Sequence, residues 1–398
     1  MLDADVAIIG AGAAGLSLAH RLSSGAAGRR TPSVVLLTAP PGPLRPPRRT
    51  WCFWEAGPGV YDRALTASWQ RLRVRGKEGS STESRIAPLR YKMLCSDDFE
   101  ELVHHDLAGR ASVRVTEAVV DSVEGLSGGG AQVRGSTAAG ASVDVRARWV
   151  FDSRPLEALP AARTTLLQHF HGWFVRTDRP AFDRDVVDLM DFRTPQPARG
   201  LSFGYVLPTG RRTALVEYTE FSAAPLTAHQ YDAALRHYTG DVLGLGAFEV
   251  TARETGAIPM TDAVFARQTG EAIFRIGTAG GATRPSTGYT FAAVQRQTRA
   301  VAAAFRAGRR PAPPPAHSVR SRAMDAVLLR ALATGRIDGA DFFSDLFERV
   351  PAERLLRFLD GRTRLREDLS VGLHTPVLPM LRTAAELPWL PRRPSAEI

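Results

Sequence analysis

A glycine-rich segment near the N-terminus has the spacing of a phosphate-binding turn. Gly10, Gly12 and Gly15 form a G-x-G-x-x-G pattern. In such a pattern the first glycine permits a tight turn, the second lets backbone approach a pyrophosphate, and the third lets a helix pack on a strand. Ala13 and Ala14 fall at the start of the following helix, where free N–H groups favour a negative charge. The segment predicts a dinucleotide site.

A second glycine cluster lies far along the chain, between a short strand at 275–277 and a helix that begins near Phe291. A nicotinamide enzyme has no need of a second such loop. A flavin has two distant parts to hold, the pyrophosphate and the isoalloxazine ring, so the cluster favours FAD. Its predicted cofactor-binding residues are Gly277, Gly280, Gly281, Thr287, Gly288 and Tyr289.

The elements around the first turn follow a strand–helix–strand order. Asp5 to Ile9 is typical of a buried strand, residues 13–23 have helical composition, and residues 34–37 predict a second buried strand. Such a second strand usually ends in an acid that binds the ribose hydroxyls, and Thr38 stands there instead. Thr38 is therefore predicted to contact the cofactor through a weaker hydroxyl group.

The middle of the chain predicts an antiparallel sheet, followed by helices. Strand-like runs occur at residues 170–175, 186–192, 201–207 and 213–219, and residues 227–237 favour a helix. Further strands are predicted at 112–120 and 131–150, a proline- and arginine-rich linker at 39–49, and mostly helix from 291 onward. The predicted fold is mixed α/β: a Rossmann-like FAD-binding domain (1–165 and 250–305), an antiparallel-sheet substrate domain (166–249) and a helical C-terminal region (306–398).

Composition limits the classes of function. The chain has 398 residues, 44% of them hydrophobic, and a formal charge of +10, which favours an anionic partner or reflects an arginine-rich composition. Its basic residues are dispersed and no nucleic-acid motif occurs, which disfavours nucleic-acid binding. Cys52 and Cys95 lack the spacing of a metal site or disulfide framework, so no metal is predicted. This cysteine usage fits a reducing cytoplasm. No apolar run reaches the ~18 residues that a membrane crossing needs, so any membrane contact must be peripheral, and we expect a cytoplasmic, peripherally membrane-associated protein.

Short motifs along nearly the whole chain carry a family resemblance. They include the N-terminal turn, Met190-Asp191-Phe192-Arg193 and the Arg284–Tyr289 loop. The others are Arg49-Thr50-Trp51-Cys52-Phe53-Trp54, Gln168-His169-Phe170-His171-Gly172-Trp173, Ser202-Phe203-Gly204-Tyr205-Val206-Leu207-Pro208, Leu215-Val216-Glu217-Tyr218-Thr219 and Gly256-Ala257-Ile258-Pro259-Met260. In this order the sequence resembles the FAD-dependent lycopene cyclases of carotenoid-producing bacteria and plants.

The resemblance implies an isomerisation in which one or both ends of a linear polyene close into a six-membered ring. Reduced FAD is required in that family, with NAD(P)H serving only to reduce it, because an anionic flavin can stabilise the carbocation formed by protonating an alkene. Arg49 is placed in the cofactor site by its motif. Aromatic faces add cation–π support. The predicted substrate-binding residues are Trp51, Phe53, Trp54, Trp173, Phe203 and Tyr205.

A donor that can protonate an alkene must be a carboxylic acid kept neutral by burial. Glu217 is the predicted acid, because strand alternation puts it on one face with Thr219, and because it matches the first of two neighbouring acids in the family motif. Tyr218 replaces the second acid. Asp191 and Glu254 are secondary catalytic candidates.

Substrate delivery and reaction type leave alternatives open. A polyene substrate must be extracted from a bilayer, and basic charge with apolar helices suits peripheral docking, with residues 342–358 and 373–390 as candidates beside simple core packing. The alternative reaction is that of an FAD-dependent monooxygenase or oxidoreductase, such as an alkene epoxidase. Oxygen chemistry does not require the acid at Glu217, which favours the cyclase.

Overall fold

The computed structural model describes residues 2–24 and 31–394, which form a mixed α/β structure. Its strands are β1 (Ala4–Ile9), β2 (Val34–Thr38), β3 (Thr50–Ala56), β4 (Leu65–Trp69), β5 (Arg71–Arg75), β6 (Ser81–Arg85), β7 (Leu89–Cys95), β8 (Val113–Glu117), β9 (Val119–Gly125), β10 (Ala131–Ser136), β11 (Ser142–Asp152), β12 (Thr165–Thr177), β13 (Val186–Asp191), β14 (Leu201–Pro208), β15 (Thr213–Ser222), β16 (Phe248–Thr261) and β17 (Ile273–Arg275). Its helices are α1 (Ala13–Ser23), α2 (Ser96–Leu107), α3 (Ala228–His237), α4 (Phe291–Arg306), α5 (Val319–Ala333), α6 (Gly339–Arg349), α7 (Ala352–Leu359), α8 (Leu365–Gly372) and α9 (Val377–Glu386). The mixed α/β fold class predicted from the sequence is confirmed.

The first sheet is the expected nucleotide-binding sheet. Strands β8, β2, β1, β11 and β17 run parallel, and β10 and β9 extend the sheet antiparallel from β11. Helices α1 and α4 pack together beside it. Because the carboxyl ends of β1 and β17 lie on the same edge, Gly10 and Gly277, which follow these strands, open onto one crevice.

The second sheet has the order β16-β12-β15-β14-β13-β5-β6, and all its pairs are antiparallel except β13 with β5. All four strands predicted between residues 170 and 219 belong to it. The sheet also extends beyond the range 166–249, because β16 pairs with β12 along nearly its whole length and β5–β6 join the far edge. The division of the chain into domains remains a prediction.

A small third sheet, with the order β3-β7-β4, connects the two larger ones. Alternation along β3 sends Trp51 and Phe53 into the core beside α2 and α4, whereas Cys52 and Trp54 face the core beneath the second sheet. Local sequence patterns predict neither this sheet nor α2. Strand β3 follows a proline-rich segment, so the sequence pattern does not show where this strand begins.

The C-terminal part is helical, as predicted. Helices α5 to α7 cover the inner face of the second sheet with residues such as Leu332, Phe343 and Leu356. Helix α3 covers the opposite face through Tyr231, Leu235 and the following Tyr238. In residues 2–24 and 31–394, every helix is too short or too polar to cross a membrane.

Candidate functional site

The turn after β1 has the geometry that its glycines predict. Gly10 has a φ of +92°, a left-handed conformation that favours glycine. A Cβ on Gly15 would overlap the carbonyl oxygen of Gly10, so only glycine lets α1 pack this close to the turn. A Cβ on Gly12 would meet nothing within 4 Å. The backbone at Gly12 therefore faces open space at the N-terminus of α1, as a pyrophosphate requires.

The second glycine loop lies against the first. Gly277 has a φ of +66°, and a Cβ built on it would lie 3.0 Å from the Cβ of Ala14. The two glycine clusters, more than 260 residues apart in sequence, therefore meet at the N-terminus of α1. Thr38 ends β2 beside Glu117, the last residue of β8, at the same sheet edge. Arg49 is exposed just before β3.

The far end of the second loop holds two buried polar atoms without partners. Among residues 2–24 and 31–394, neither Gln168 Oε1 nor Thr287 Oγ1 finds a hydrogen-bond partner. Gly288 has a φ of +70° and lies so close to Gln168 Oε1 that a Cβ on it would overlap that atom. Buried polar atoms are normally satisfied. The glycine cradle at one end and these unpaired groups at the other fit a flavin dinucleotide, with its pyrophosphate near Gly12 and its ring portion near Gly288.

The predicted acid lies in a row of residues that crosses four strands. Glu217 on β15 is opposite Gly172 on β12, and Gly172 is in turn opposite Glu254 on β16. On the other side, Tyr205 of β14 is opposite Glu217. Residues paired across neighbouring strands point to the same face, so the two carboxyl groups and the phenol share the inner face of the sheet. Glu217 and Glu254 are separated by a residue without a side chain.

Gly172 makes room between the acids. A Cβ at this position would lie 2.8 Å from Leu215 Cδ1 and 3.5 Å from the Cβ of Glu217. Any larger residue would therefore push against Leu215 and fill the space beside Glu217. Gly172 belongs to the motif Gln168–Trp173, but only the strand register shows that it separates the two acids.

Both acids are buried, each with 7% of its surface exposed. Burial, together with the negative charge of Glu254, raises the pKa of Glu217 to about 8. The Thr219 hydroxyl donates a hydrogen bond of 2.6 Å to Glu217, and this bond lowers the pKa without offsetting the effect of burial. Burial also raises the pKa of Glu254, which accepts hydrogen bonds from the backbone N–H and the hydroxyl of Thr50 at 2.7 and 2.6 Å. Glu217 is thus a neutral carboxylic acid at pH 7.

A chain of hydroxyl groups links the acid row to the second glycine loop. The Tyr91 hydroxyl lies 2.6 Å from that of Tyr205 and 2.8 Å from that of Tyr289. Trp54 packs edge-on against Tyr289, with ring centroids 4.6 Å apart. Burial raises the pKa of the Cys52 thiol, which touches Tyr205 and Tyr91, to about 12, so the thiol stays neutral. Aromatic rings and uncharged hydroxyl groups therefore pack on the side of the sheet that carries the acids.

The structure places the predicted substrate-binding aromatic residues in three groups. Trp54, Phe203 and Tyr205 belong to the core on the acid side of the second sheet. Trp51 and Phe53 stack instead on Phe291 at the start of α4, with centroids 5.5 and 4.7 Å apart, on the nucleotide side of β3. Trp173 lies on the opposite face of the second sheet from Glu217, because it neighbours Gly172 and strand residues alternate.

The two secondary catalytic candidates, Glu254 and Asp191, lie on opposite faces of the second sheet. Glu254 lies beside Glu217, whereas Asp191 is on the α3 side of the second sheet, opposite Gly204. Asp191 is fully buried and forms an ion pair with Arg193 at 2.6 Å, and Tyr238 donates to it at 3.0 Å. This ion pair lies on the face of the sheet opposite Glu217, and a catalytic role for Asp191 stays a prediction. Tyr218 also points to the α3 side, where its hydroxyl donates to Glu220 at 3.0 Å.

Sequence reasoning missed several residues of the site. Tyr91 was not singled out, since the run Leu89–Cys95 carries no motif, and its position became apparent only when β7 paired with β3. Gln168, Thr50 and Cys52 stand inside quoted motifs without an assigned role. Thr50 and Cys52 flank Trp51 in the sequence, and Gln168 begins the motif that contains Trp173. Their positions in these motifs are the sequence signal that points to them.

Comparison with known families agrees with this geometry. The chain matches the family described as lycopene cyclase protein over residues 5–385. The fold and site define an enzyme built on a two-part nucleotide cradle and a buried acid. The chain belongs to the lycopene cyclase family. No curated protein matches the sequence.

Solved structures share the fold at low identity. A geranylgeranyl bacteriochlorophyll reductase-like protein from Thermoplasma acidophilum has a TM-score of 0.60 at 14% identity, with 98% of this chain and 99% of that chain covered. The p-nitrophenol 4-monooxygenase from Pseudomonas putida has a TM-score of 0.60 at 16% identity, with 98% of each chain covered. A flavoprotein/dehydrogenase from Cytophaga hutchinsonii has a TM-score of 0.63 at 12% identity, with 97% and 99% covered. The fold is therefore one that flavoproteins use.

The open space at Gly12 generates a first prediction. Gly12→Val should fold, since a Cβ there meets no protein atom within 4 Å, but it should bind FAD at least about tenfold more weakly because the side chain occupies the pyrophosphate position. The measurement is flavin retained by the purified protein and its affinity on titration. Gly125→Ala, also in open space but in β9, is the control and should retain flavin like the wild type. Full flavin content in Gly12→Val would contradict the cradle.

The raised pKa of Glu217 predicts a pH-dependent stability. Between its unfolded value of 4.5 and its folded value of about 8, the folded chain holds a proton that the unfolded chain loses. The free energy of unfolding therefore falls as pH rises through this window, by up to about 5 kcal/mol. Glu217→Gln cannot ionise and should gain stability relative to the wild type over the same window. Urea unfolding at pH 5 and pH 8 measures this, and an equal difference at both pH values would argue against a neutral Glu217.

Proposed function

We propose that this protein is a flavin-dependent, non-redox cyclase that converts lycopene or a similar linear isoprenoid polyene into a cyclised isomer. The observation that carries the proposal is the neutral, buried carboxyl group of Glu217, which faces an aromatic-lined core shared with the second glycine loop. A buried carboxyl group that keeps its proton can act as a general acid. Protonation of an alkene needs one.

The proposed reaction starts with transfer of the Glu217 carboxyl proton to a terminal double bond of the polyene. A tertiary carbocation forms, and an internal double bond attacks it to close a six-membered ring through a new carbon–carbon bond. The cyclic cation then loses a proton from an adjacent carbon to a carboxylate of the acid row. One proton enters and one leaves, so the product has the mass of the substrate.

Thr219 and Glu254 prepare Glu217 for this step. The Thr219 hydroxyl fixes one carboxyl oxygen by its hydrogen bond of 2.6 Å. Glu254 lies one residue away across Gly172, and a negative charge there makes ionisation of Glu217 less favourable. Thr50 holds Glu254 by two hydrogen bonds, which anchors β3 against the acid row. The Thr219 hydrogen bond thus orients the acid, whereas burial and the charge of Glu254 keep it protonated.

The aromatic cluster supports the cation. Trp54, Phe203 and Tyr205 belong to the hydrophobic cluster on the side of the sheet that carries Glu217. Ring faces attract a cation, and the attraction is larger where water is excluded. Because the neighbouring hydroxyl groups of Tyr91 and Tyr289 bond to one another or to Tyr205, they are poorly placed to trap the cation as nucleophiles.

Reduced FAD is the proposed cofactor, and when bound it supplies a negative charge that stabilises a nearby carbocation. Gly10, Gly12 and Gly15 would hold its pyrophosphate, and the loop from Gly277 to Tyr289 would hold its ring portion beside Gln168 and Thr287. NAD(P)H is the proposed reductant, needed only to bring the flavin to its reduced form.

A monooxygenase or oxidoreductase acting on a hydrophobic terpenoid is the second candidate. The observation that favours it is the shared fold with the p-nitrophenol 4-monooxygenase over 98% of each chain. An epoxidase would require a site for oxygen chemistry, for which Glu217 is not needed. The two candidates differ in the mass of the product and in the consumption of reductant.

Glu217→Gln tests the acid directly. It should retain FAD and fold, but cyclisation should fall at least about a hundredfold, because the amide cannot protonate the alkene. Glu220→Gln is the matched control: Glu220 lies three residues further along β15, is equally buried, and points to the α3 side. Turnover is measured as cyclised pigment formed in a lycopene-accumulating bacterium and with purified protein. Wild-type turnover in Glu217→Gln would rule out this acid.

The redox balance separates the two candidate functions. With lycopene and reduced FAD, we expect the product to keep the substrate mass, and NAD(P)H to be required without being consumed in proportion to product. Mass spectrometry of the pigment and absorbance of the nicotinamide measure these two quantities. A product heavier by one oxygen atom, or oxidation of one NAD(P)H per product, would favour the monooxygenase.

A further inference from the structure

Helices α8 and α9 expose an unusual amount of large apolar surface. On α8 and just after it, Leu365, Leu369 and Leu373 follow one another at intervals of four residues with exposures of 57%, 63% and 76%. Intervals of four residues put side chains on the same face of a helix. This face therefore points outward as an apolar stripe.

Helix α9 repeats the pattern. Val377, Leu378 and Leu381 are exposed, and the small residues Ala384 and Ala385 continue the same face. The opposite face packs on α5 through Met380 and Thr383. Trp389, which follows the helix, is the most exposed of these large residues at 86%. We call the outward residues 365, 369, 373, 377, 378, 381 and 389 the apolar platform.

The platform is large for a protein surface. Scattered exposed apolar residues are normal, but seven large ones within 25 residues of chain mark an interaction surface. Tryptophan and leucine on the apolar face of helices that lie on the protein surface are typical of contact with the boundary region of a bilayer. None of the seven forms part of the acid row.

The charges around the platform are unbalanced. In residues 361–394 the acids are Glu367, Asp368 and Glu386, and each is held by arginine, at 2.7 Å from Arg357, at 2.7 Å from Arg320 and at 2.5 Å from Arg330. Exposed arginines in the same stretch are Arg362, Arg364, Arg366, Arg382, Arg392 and Arg393. Within the part of the chain that the structure describes, Arg366 and Arg382 form no ion pair. The rim of the platform is therefore cationic.

We propose that the apolar platform of α8 and α9 docks on the surface of a bilayer that contains anionic lipids. Apolar side chains enter the boundary between headgroups and acyl chains, and the arginines at the rim face lipid phosphates. A second copy of the chain would meet the same cationic rim, so like charges would oppose self-association across this face. An anionic lipid surface complements both features.

The platform is continuous with the site. Val371 of α8 and Met380 of α9 point inward and join the hydrophobic cluster that contains Trp54, Tyr91 and Phe203. The consequence for substrate delivery rests on the proposed function. A polyene dissolved in the bilayer would meet the protein at a surface whose inner side belongs to the same hydrophobic cluster as Trp54 and Phe203.

The test uses the full-length protein and lipid vesicles. Wild-type protein should cosediment with vesicles of phosphatidylcholine mixed with phosphatidylglycerol. Leu369→Glu combined with Leu381→Glu should lower the partition coefficient at least about tenfold, because charged side chains replace two leucines that would enter the boundary region of the bilayer. The control is Leu44→Glu combined with Val115→Glu, which changes two exposed apolar residues elsewhere and should bind like the wild type. Equal vesicle binding by platform and control variants overturns the proposal.

A second pair of variants tests the charge. Arg366→Gln combined with Arg382→Gln should weaken binding to the anionic vesicles severalfold, flatten its salt dependence, and leave binding to pure phosphatidylcholine unchanged. Sedimentation analysis without lipid is run on all variants. If the platform variant instead dissociates an oligomer while its vesicle binding is unchanged, the face is an interface between copies and the proposal fails.

Turnover separates this proposal from the cyclase assignment. The platform variant should cyclise detergent-dispersed lycopene at the wild-type rate and lose activity towards vesicle-embedded lycopene. If the wild type binds vesicles through the platform but cyclises neither form, the docking stands and the proposed function falls. If the platform variant is as active as the wild type on vesicle-embedded lycopene, the docking role is contradicted whatever the reaction proves to be.

Discussion

The site depends on the burial of two carboxyl groups, side by side, with only a glycine between them. No cation compensates Glu217 among the described residues, since its hydrogen bond comes from Thr219 and its nearest charged neighbour along the row is Glu254. An ionised carboxylate in such a place is costly, so the group keeps its proton. Strand pairing fixes the positions of both acids: Glu217 lies on β15, the third strand of the seven-stranded sheet, and Glu254 lies on β16 at its edge.

The rest of the structure is arranged around that constraint. The small sheet β3-β7-β4 covers the acid row and supplies Thr50, Cys52 and Tyr91, all of them uncharged. Helices α5 to α7 close the same core with aliphatic and aromatic side chains. The charged networks lie elsewhere: Asp188 and Asp191 pair with arginines on the α3 side of the sheet or at its edge. Segregation of this kind keeps the space near Glu217 dry and of low dielectric constant, which strengthens electrostatic interactions there.

The sequence predicted the parts of the fold that local patterns encode. The turn at Gly10–Gly15, the strands on either side of it and the four strands between residues 170 and 222 are visible as glycine spacing and alternation. Glu217 and the face it shares with Thr219 also follow from alternation. The approach of Glu254 to Glu217 does not, because it depends on which strand lies next to β12, and sheet order is a long-range property. For the same reason, Trp173 and Asp191 could not be assigned to the far face of the sheet, nor Trp51 and Phe53 to the nucleotide side of β3.

The strand β3 acts as a partition. Its odd-numbered aromatic residues, Trp51 and Phe53, pack in the core of the nucleotide-binding part, while Cys52 and Trp54 pack in the core on the acid side of the second sheet. A strand repeats every two residues, so insertion or loss of one residue ahead of Trp51 would exchange the two sets and present a thiol where an indole belongs. The proline-rich segment ahead of β3 can therefore change in length only if the pairing of β3 with β7 keeps its register. The two hydrophobic clusters thus share one strand. Single substitutions can change the side chains on either side of β3, whereas a shift of the strand by one residue would change both clusters at once.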